Sequence, residues 1–195
     1  MAVWIRNTEC VRMEFRMNRY IALLRGINIS GKNKIAMSEL KANFAALGYV
    51  DVFTHLNSGN VIFSSDEDDE GVLANTIMSM IQERFCLDIP VFVISQKELE
   101  DILRHAPAWW GDDNKEIYDN IIFLLPSLSY EEFYHEMGNP KKEYENVHNY
   151  KNAVFWSFSR KDYQKTNWWA KTAKSSVSNK ITIRTANTLR KIVGM

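Results

Sequence analysis

The order strand–helix–strand–strand–helix–strand runs through this chain twice, and few folds accommodate it. In the first pass, residues 20–25 form a short apolar run that reads as a buried strand. A helix follows from Met37, with Leu40, Phe44 and Leu47 on one stripe and Gly48 placed to cap its C-terminus. Residues 51–56 and 61–64 read as a hairpin around Asn57-Ser58-Gly59-Asn60, because Gly and Asn supply the positive φ of a tight turn. Residues 69–85 repeat Leu73, Ile77, Met80, Ile81 and Phe85 at helical spacing behind an acidic first turn. Residues 90–94 are β-branched and aromatic, and Ser95-Gln-Lys-Glu98 reads as a capping box that opens a connecting helix through Leu103.

The second pass begins about one hundred residues later. Residues 120–125 form an apolar strand, Ser129-Tyr-Glu-Glu132 a second capping box, and 143–148 with 153–158 a second hairpin around Tyr150-Lys151-Asn152. Residues 161–174 read as helix, 181–184 as strand and 188–193 as a closing helix. The halves share little sequence, so the repeat is one of order.

This is the split-βαβ arrangement. The fold class predicted is α+β, two ferredoxin-like halves with antiparallel sheets, the first over 19–105 and the second over 106–195 with a basic C-terminal segment. Residues 1–18 read as an N-terminal extension, with Met17 as the native start; the alternative is an extra strand or helix packed on the domain. The strands around Tyr20 and Val61 are apolar on both faces. The helix-free face of the sheet must therefore be covered, by the other half or by a second subunit.

Strand direction also predicts a site. The loop after the first strand and the first hairpin tip leave the sheet at the same end. That places Arg25, Asn28, Lys32, Asn33 and Lys34 near Asn57, Ser58 and Asn60. Glycines let backbone N–H groups approach an anion, and the cations add charge near a helix N-terminus. A phosphate-bearing small molecule suits such a loop. Its competing reading is a polar connection whose Asn28 and Asn33 bond their own backbone. The spacing is not a P-loop, since Gly31-Lys32 is followed by Asn33 rather than Ser or Thr. Arg184, Asn187 and Thr188 form a second polar group able to hold phosphate or carboxylate. The alternative there is a helix cap at Asn187 or Thr188 with Arg184 in a surface pair.

With these segments in view, the chain resembles an uncharacterised bacterial family, domain of unknown function 1697. The residues that carry the resemblance are Tyr20-Ile-Ala-Leu-Leu-Arg-Gly-Ile-Asn28, Gly31-Lys-Asn-Lys34 with Met37, Leu47-Gly48-Tyr49 with Asp51-Val52, and Ser58-Gly-Asn-Val61. Thr182, Arg184, Asn187, Thr188, Lys191 and Ile192 resemble the family's C-terminal Thr-Thr-Arg-Asn-Trp-Asn-Thr run. Asn57 stands where the family has Gln, and Thr185-Ala186 where it has Asn-Trp. The resemblance spans about Met17 to Ile192 and implies two ferredoxin-like subdomains. It implies no activity.

Other chemistries find little support. No GxSxG, HExxH or Cys–His arrangement is present, so no catalytic residue is assigned, and His55 and His105 are the candidate bases only if folding places them in a pocket. Two distant cysteines, Cys10 and Cys86, fit a reducing cytoplasm, and four scattered histidines lack zinc-site spacing, so no metal is assigned. No cofactor is assigned. No apolar run approaches the ~20 residues of a membrane span. Net charge is zero, yet the stretch from Ser157 onward holds nine basic residues against Asp162 alone. Charge runs of this kind usually solvate a face, so nucleic acid is not favoured. Of the adjacent Trp168 and Trp169, one belongs to the core, since neighbours on a helix point about 100° apart. Three functions fit: an anion-binding protein, a homodimeric or partner-interaction protein with a structural glycine loop, and a hydrolase or transferase acting on a nucleotide-like substrate.

Overall fold

The computed structural model describes residues 17–112 and 114–195. The reading of residues 1–18 as an extension falls almost wholly outside them. The first half comprises β1 (Asn18–Leu24), α1 (Met37–Ala46), β2 (Val50–His55), β3 (Asn60–Ser65), α2 (Glu70–Phe85), β4 (Val91–Ser95) and α3 (Gln96–Arg104). The second comprises β5 (Ile117–Leu124), α4 (Tyr130–Met137), β6 (Glu145–Tyr150), β7 (Ala153–Ser159), α5 (Trp168–Lys174), β8 (Ile181–Thr185) and α6 (Ala186–Val193). Each half has one antiparallel sheet, ordered β2-β3-β1-β4 and β6-β7-β5-β8. Both follow the ferredoxin-like order, with the first and third strands at the centre.

Alternation along the strands builds three apolar layers. Tyr20, Ala22, Leu24, Val61 and Phe63 face α1 and α2, where Leu40, Phe44, Leu73 and Ile77 meet them. Ile122, Val154, Trp156 and Phe158 face Phe133 of α4 and Trp168 of α5. The remaining inward residues, Ile21, Leu23, Ile62, Phe92, Ile121, Phe123 and Phe155, pack the two sheets on each other with α3 and α6 alongside. Phe92 of one half stacks on Phe123 of the other at 5.1 Å. The helix-free faces are thus covered by one another. Trp168 is fully buried and Trp169 is 42% exposed, which resolves the pair.

Local differences from the sequence reading have simple causes. Residues 161–174 are not one helix. A short 3-10 turn (Tyr163–Lys165) precedes α5, and Glu145 accepts from the backbone N–H groups of Asn167 and Trp168 where α5 begins. Ser95 caps α3 through Glu98 N, but the reciprocal Glu98 bond is absent, so only Ser129–Glu132 forms a full box. The N-cap of α6 is Thr185, not Asn187 or Thr188, because β8 runs directly into the helix as β4 runs into α3.

A second contact ties the halves together at α3. Asp101 accepts from Lys151 Nζ at 2.8 Å and Tyr150 Oη at 3.0 Å, both on the β6–β7 hairpin, and from Arg104 at 3.0 Å. Hydrogen bonds from Lys151 and Arg104 hold its carboxyl well below the usual carboxylate range. A depressed carboxylate stabilises the fold above its unfolded pKa and loses that contribution as pH falls through the folded value. Asp101→Asn is therefore expected to lower Tm at pH 7. The gap from wild type should narrow below about pH 4. Thermal melts across that range check this.

Candidate functional site

Asn28 joins the loop after β1 to the hairpin tip. Its Nδ2 donates to Ile35 O at 2.9 Å and to Asn57 O at 3.0 Å, while its Oδ1 accepts from Ile35 N at 2.9 Å. Asn33 Nδ2 donates to Gly26 O at 3.0 Å. Both asparagines sit at positive φ, 54° and 47°, a conformation that Asn tolerates better than most residues. Loop and hairpin therefore meet at one rim, and the two asparagine side chains are spent on backbone. Lys32 and Lys34 remain exposed. Asn28, Gly31, Lys34, Ile35, Ala36, Met37 and Asn57 line a cleft of about 360 Å³. It opens on the first turn of α1, whose N-cap Ala36 provides no side-chain acceptor for the free backbone N–H groups. Gly31 has φ +77° with nothing within 4 Å of an added Cβ, so Gly31→Ala is expected to cost only about 1–2 kcal/mol by denaturant titration.

Across the sheet from that cleft, the seam between the halves holds Arg184. This corrects the surface-pair reading: the residue is 9% exposed, its side chain pointing inward from β8. Nε donates to Asn60 Oδ1. Nη1 donates to Thr182 Oγ1 at 2.9 Å and to Ile183 O at 2.8 Å. Nη2 donates to Leu24 O at 2.7 Å, with Ser58 O at 3.2 Å and Gly59 O at 3.3 Å. Asn60 is held in turn, its Nδ2 donating to His55 O at 2.9 Å and to Ser58 Oγ at 3.0 Å. In return, Arg25 at the end of β1 donates from Nη1 to Ile181 O at the start of β8. Each half thus reaches into the other with one arginine.

Every acceptor on these two guanidinium groups is neutral. Among the described residues, Arg25, Lys32, Lys34 and Arg184 form no ion pair with a carboxylate. Burial and then the neighbouring Arg25 bring Arg184 down to about 10, and burial lowers Arg25 as well. Both stay charged at neutral pH.

Asn187 lies elsewhere, in a cleft lined also by Asp119, Arg160 and Thr185. Thr188 is taken up in the α6 cap, its N–H donating to Thr185 Oγ1 at 3.3 Å. Thr182 was not anticipated at the site. The signal that exposes it is the internal repeat, since a strand read alone does not show which face meets the other sheet. His105 stacks on Tyr150 at 4.2 Å beside Asp101, away from the rim. Among the described residues no three His, Cys, Asp or Glu side chains group as metal ligands, and no helix is long and apolar enough to cross a membrane.

The model of a family described as a protein of unknown function, DUF1697, matches residues 17–155. The chain belongs to that family. A solved structure, the conserved bacterial protein SP0830 from Streptococcus pneumoniae, is 30% identical and has a TM-score of 0.80. The match covers 92% of this chain and 98% of that one. Both halves of this DUF1697 chain therefore have counterparts in a solved relative. No curated protein matches the chain. In this DUF1697 protein, the matched region contains the loop, the first hairpin with Asn60 and the tip of the second, while Thr182 and Arg184 lie beyond it.

Proposed function

We propose that this protein binds a small anionic ligand, one bearing phosphate, at the rim formed by the loop after β1 and the β2–β3 hairpin tip. One observation carries the reading: Asn28 ties the loop to the hairpin tip at Asn57, and the loop's Arg25, Lys32 and Lys34 have no carboxylate paired to any of them among the described residues. Clustered positive charge beside a helix N-terminus with free N–H groups attracts anions. Backbone conformation agrees. Asn28, Ser30, Asn33 and Leu56 all have positive φ, and such strain collects where a loop must hold a particular shape.

A thermal-shift screen of nucleotides, sugar phosphates and inorganic phosphate tests the proposal. A ligand at one hundred times its Kd adds about 2.7 kcal/mol to stability. The expected result is a saturable rise in Tm that shrinks in the Lys32→Ala, Lys34→Ala double variant. No rise with any anion at millimolar concentration contradicts it.

A further inference from the structure

The two halves share strand order and register. Leu23 pairs with Asn60 and Phe92, and its counterpart Phe123 pairs with Ala153 and Thr182. Ile21 pairs with Ile94, and Ile121 with Arg184. Arg25 N donates to Pro90 O as Leu125 N donates to Lys180 O. Four polar residues at this end of the seam therefore have apolar counterparts in the other half: Arg25 matches Leu125, Asn60 matches Ala153, Thr182 matches Phe92 and Arg184 matches Ile94. At these four positions the other half places hydrocarbon. A buried guanidinium beside a second cation is an expensive alternative, and apolar replacement of buried charges is often neutral or stabilising. The seam's polar end thus calls for a reason other than stability.

We propose that this end of the seam is a binding site for a phosphate dianion, with Arg25 as the contacting residue and Arg184 as the fixed charge behind it. The inference rests on the rim reading above and commits it to one face, one residue and one ligand charge. The donors decide the division of labour. The Arg184 nitrogens are all engaged by protein oxygens, so it supplies charge and holds Asn60 and the hairpin carbonyls in place. Arg25 is half-buried and makes one side-chain hydrogen bond among the described residues, to Ile181 O. A guanidinium has five N–H donors, so most of its fork is available to a phosphoryl group. Two positive charges with no acid between them favour a ligand carrying two negative ones.

Anion-dependent stabilisation of the full chain tests this, with inorganic phosphate, a sugar phosphate monoester and sulfate as probes at about pH 5.5 and about pH 8. A phosphomonoester loses its second charge below about pH 6, whereas sulfate keeps both. We expect phosphate and the sugar phosphate to bind more weakly at the lower pH while sulfate is unchanged. We expect Arg25→Leu, which installs the counterpart residue, to weaken binding about tenfold or more. Arg25→Lys keeps the charge without the fork, should weaken binding less, and carries the test if Arg25→Leu does not fold. Whichever phosphate species binds tighter, ester or free phosphate, identifies the source, and either supports the proposal. Wild-type affinity in both Arg25 variants, or a phosphate response as flat with pH as that of sulfate, overturns it. Binding lost in Lys34→Ala but kept in Arg25→Leu also overturns it while leaving the rim reading intact. If no anion stabilises the wild type, the rim reading itself falls.

Discussion

Gly59→Ala is expected to destabilise the protein by about 2–5 kcal/mol. Gly59 lies at the tip of the β2–β3 hairpin with φ +77°, and a Cβ there would meet Leu24 Cβ at 2.7 Å and the Ile27 side chain at 3.0 Å. The position is crowded because the hairpin tip is drawn onto the end of β1: Leu24 N donates to Gly59 O at 2.8 Å, and Arg184 approaches the same carbonyl. A side chain at Gly59 must push the two apart, which also moves the oxygens around Arg184. Gly31→Ala, equally left-handed but in open space, separates the backbone term from the clash. Urea titration of both variants should place Gly59→Ala well to the destabilised side. Equal effects would mean that packing against Leu24 contributes nothing.

Glu145→Ala is expected to cost about 2–4 kcal/mol, because buried donors lose their acceptor. Glu145 is 3% exposed at the start of β6. Its Oε1 accepts from Lys141 N at 3.0 Å and Asn167 N at 2.7 Å, and its Oε2 from Trp156 Nε1 at 3.0 Å and Trp168 N at 3.4 Å. One carboxylate thus holds the turn before β6, the core tryptophan of β7 and the start of α5. Glu145→Gln is the sharper variant. One end of its amide must present N–H to two existing donors, so it too should lose roughly 2 kcal/mol despite its matching shape. Near-wild-type stability in Glu145→Gln would mean that those donors are satisfied otherwise.

Much of the architecture was legible in the sequence. Stripes at helical spacing located α1 and α2, and apolar runs separated by Gly and Asn turns located the hairpins, because each half buries a continuous layer between one sheet and two helices. The closing of one helix-free face on the other also follows from strands that are apolar on both sides. The junction of Asn28 with Asn57 is a consequence of strand direction alone. Arg184 was not legible in this way. In Ile181-Thr-Ile-Arg184 the alternation does not reveal which face meets the other sheet. Only alignment of the halves does so, through the caps Ser95 and Thr185 and the following Leu99 with Leu189 and Ile102 with Ile192. Asp101 and Glu145 were invisible for a similar reason, since their partners lie on elements far away in sequence.

The repeat also explains why the rim occurs once. The second hairpin tip, Tyr150-Lys151-Asn152, faces Asp101 and carries its own compensated charge. The first faces Arg184 and carries none. The two halves thus differ at their tips, one closed by an ion pair and the other left cationic.

The most direct test is a crystal structure grown with tungstate, a heavy phosphate mimic. The account predicts one ordered oxyanion within hydrogen-bonding distance of Arg25, at the mouth of the seam and in front of Arg184. Tungstate seated only at exposed lysines elsewhere, with Arg25 turned away into solvent, would contradict it.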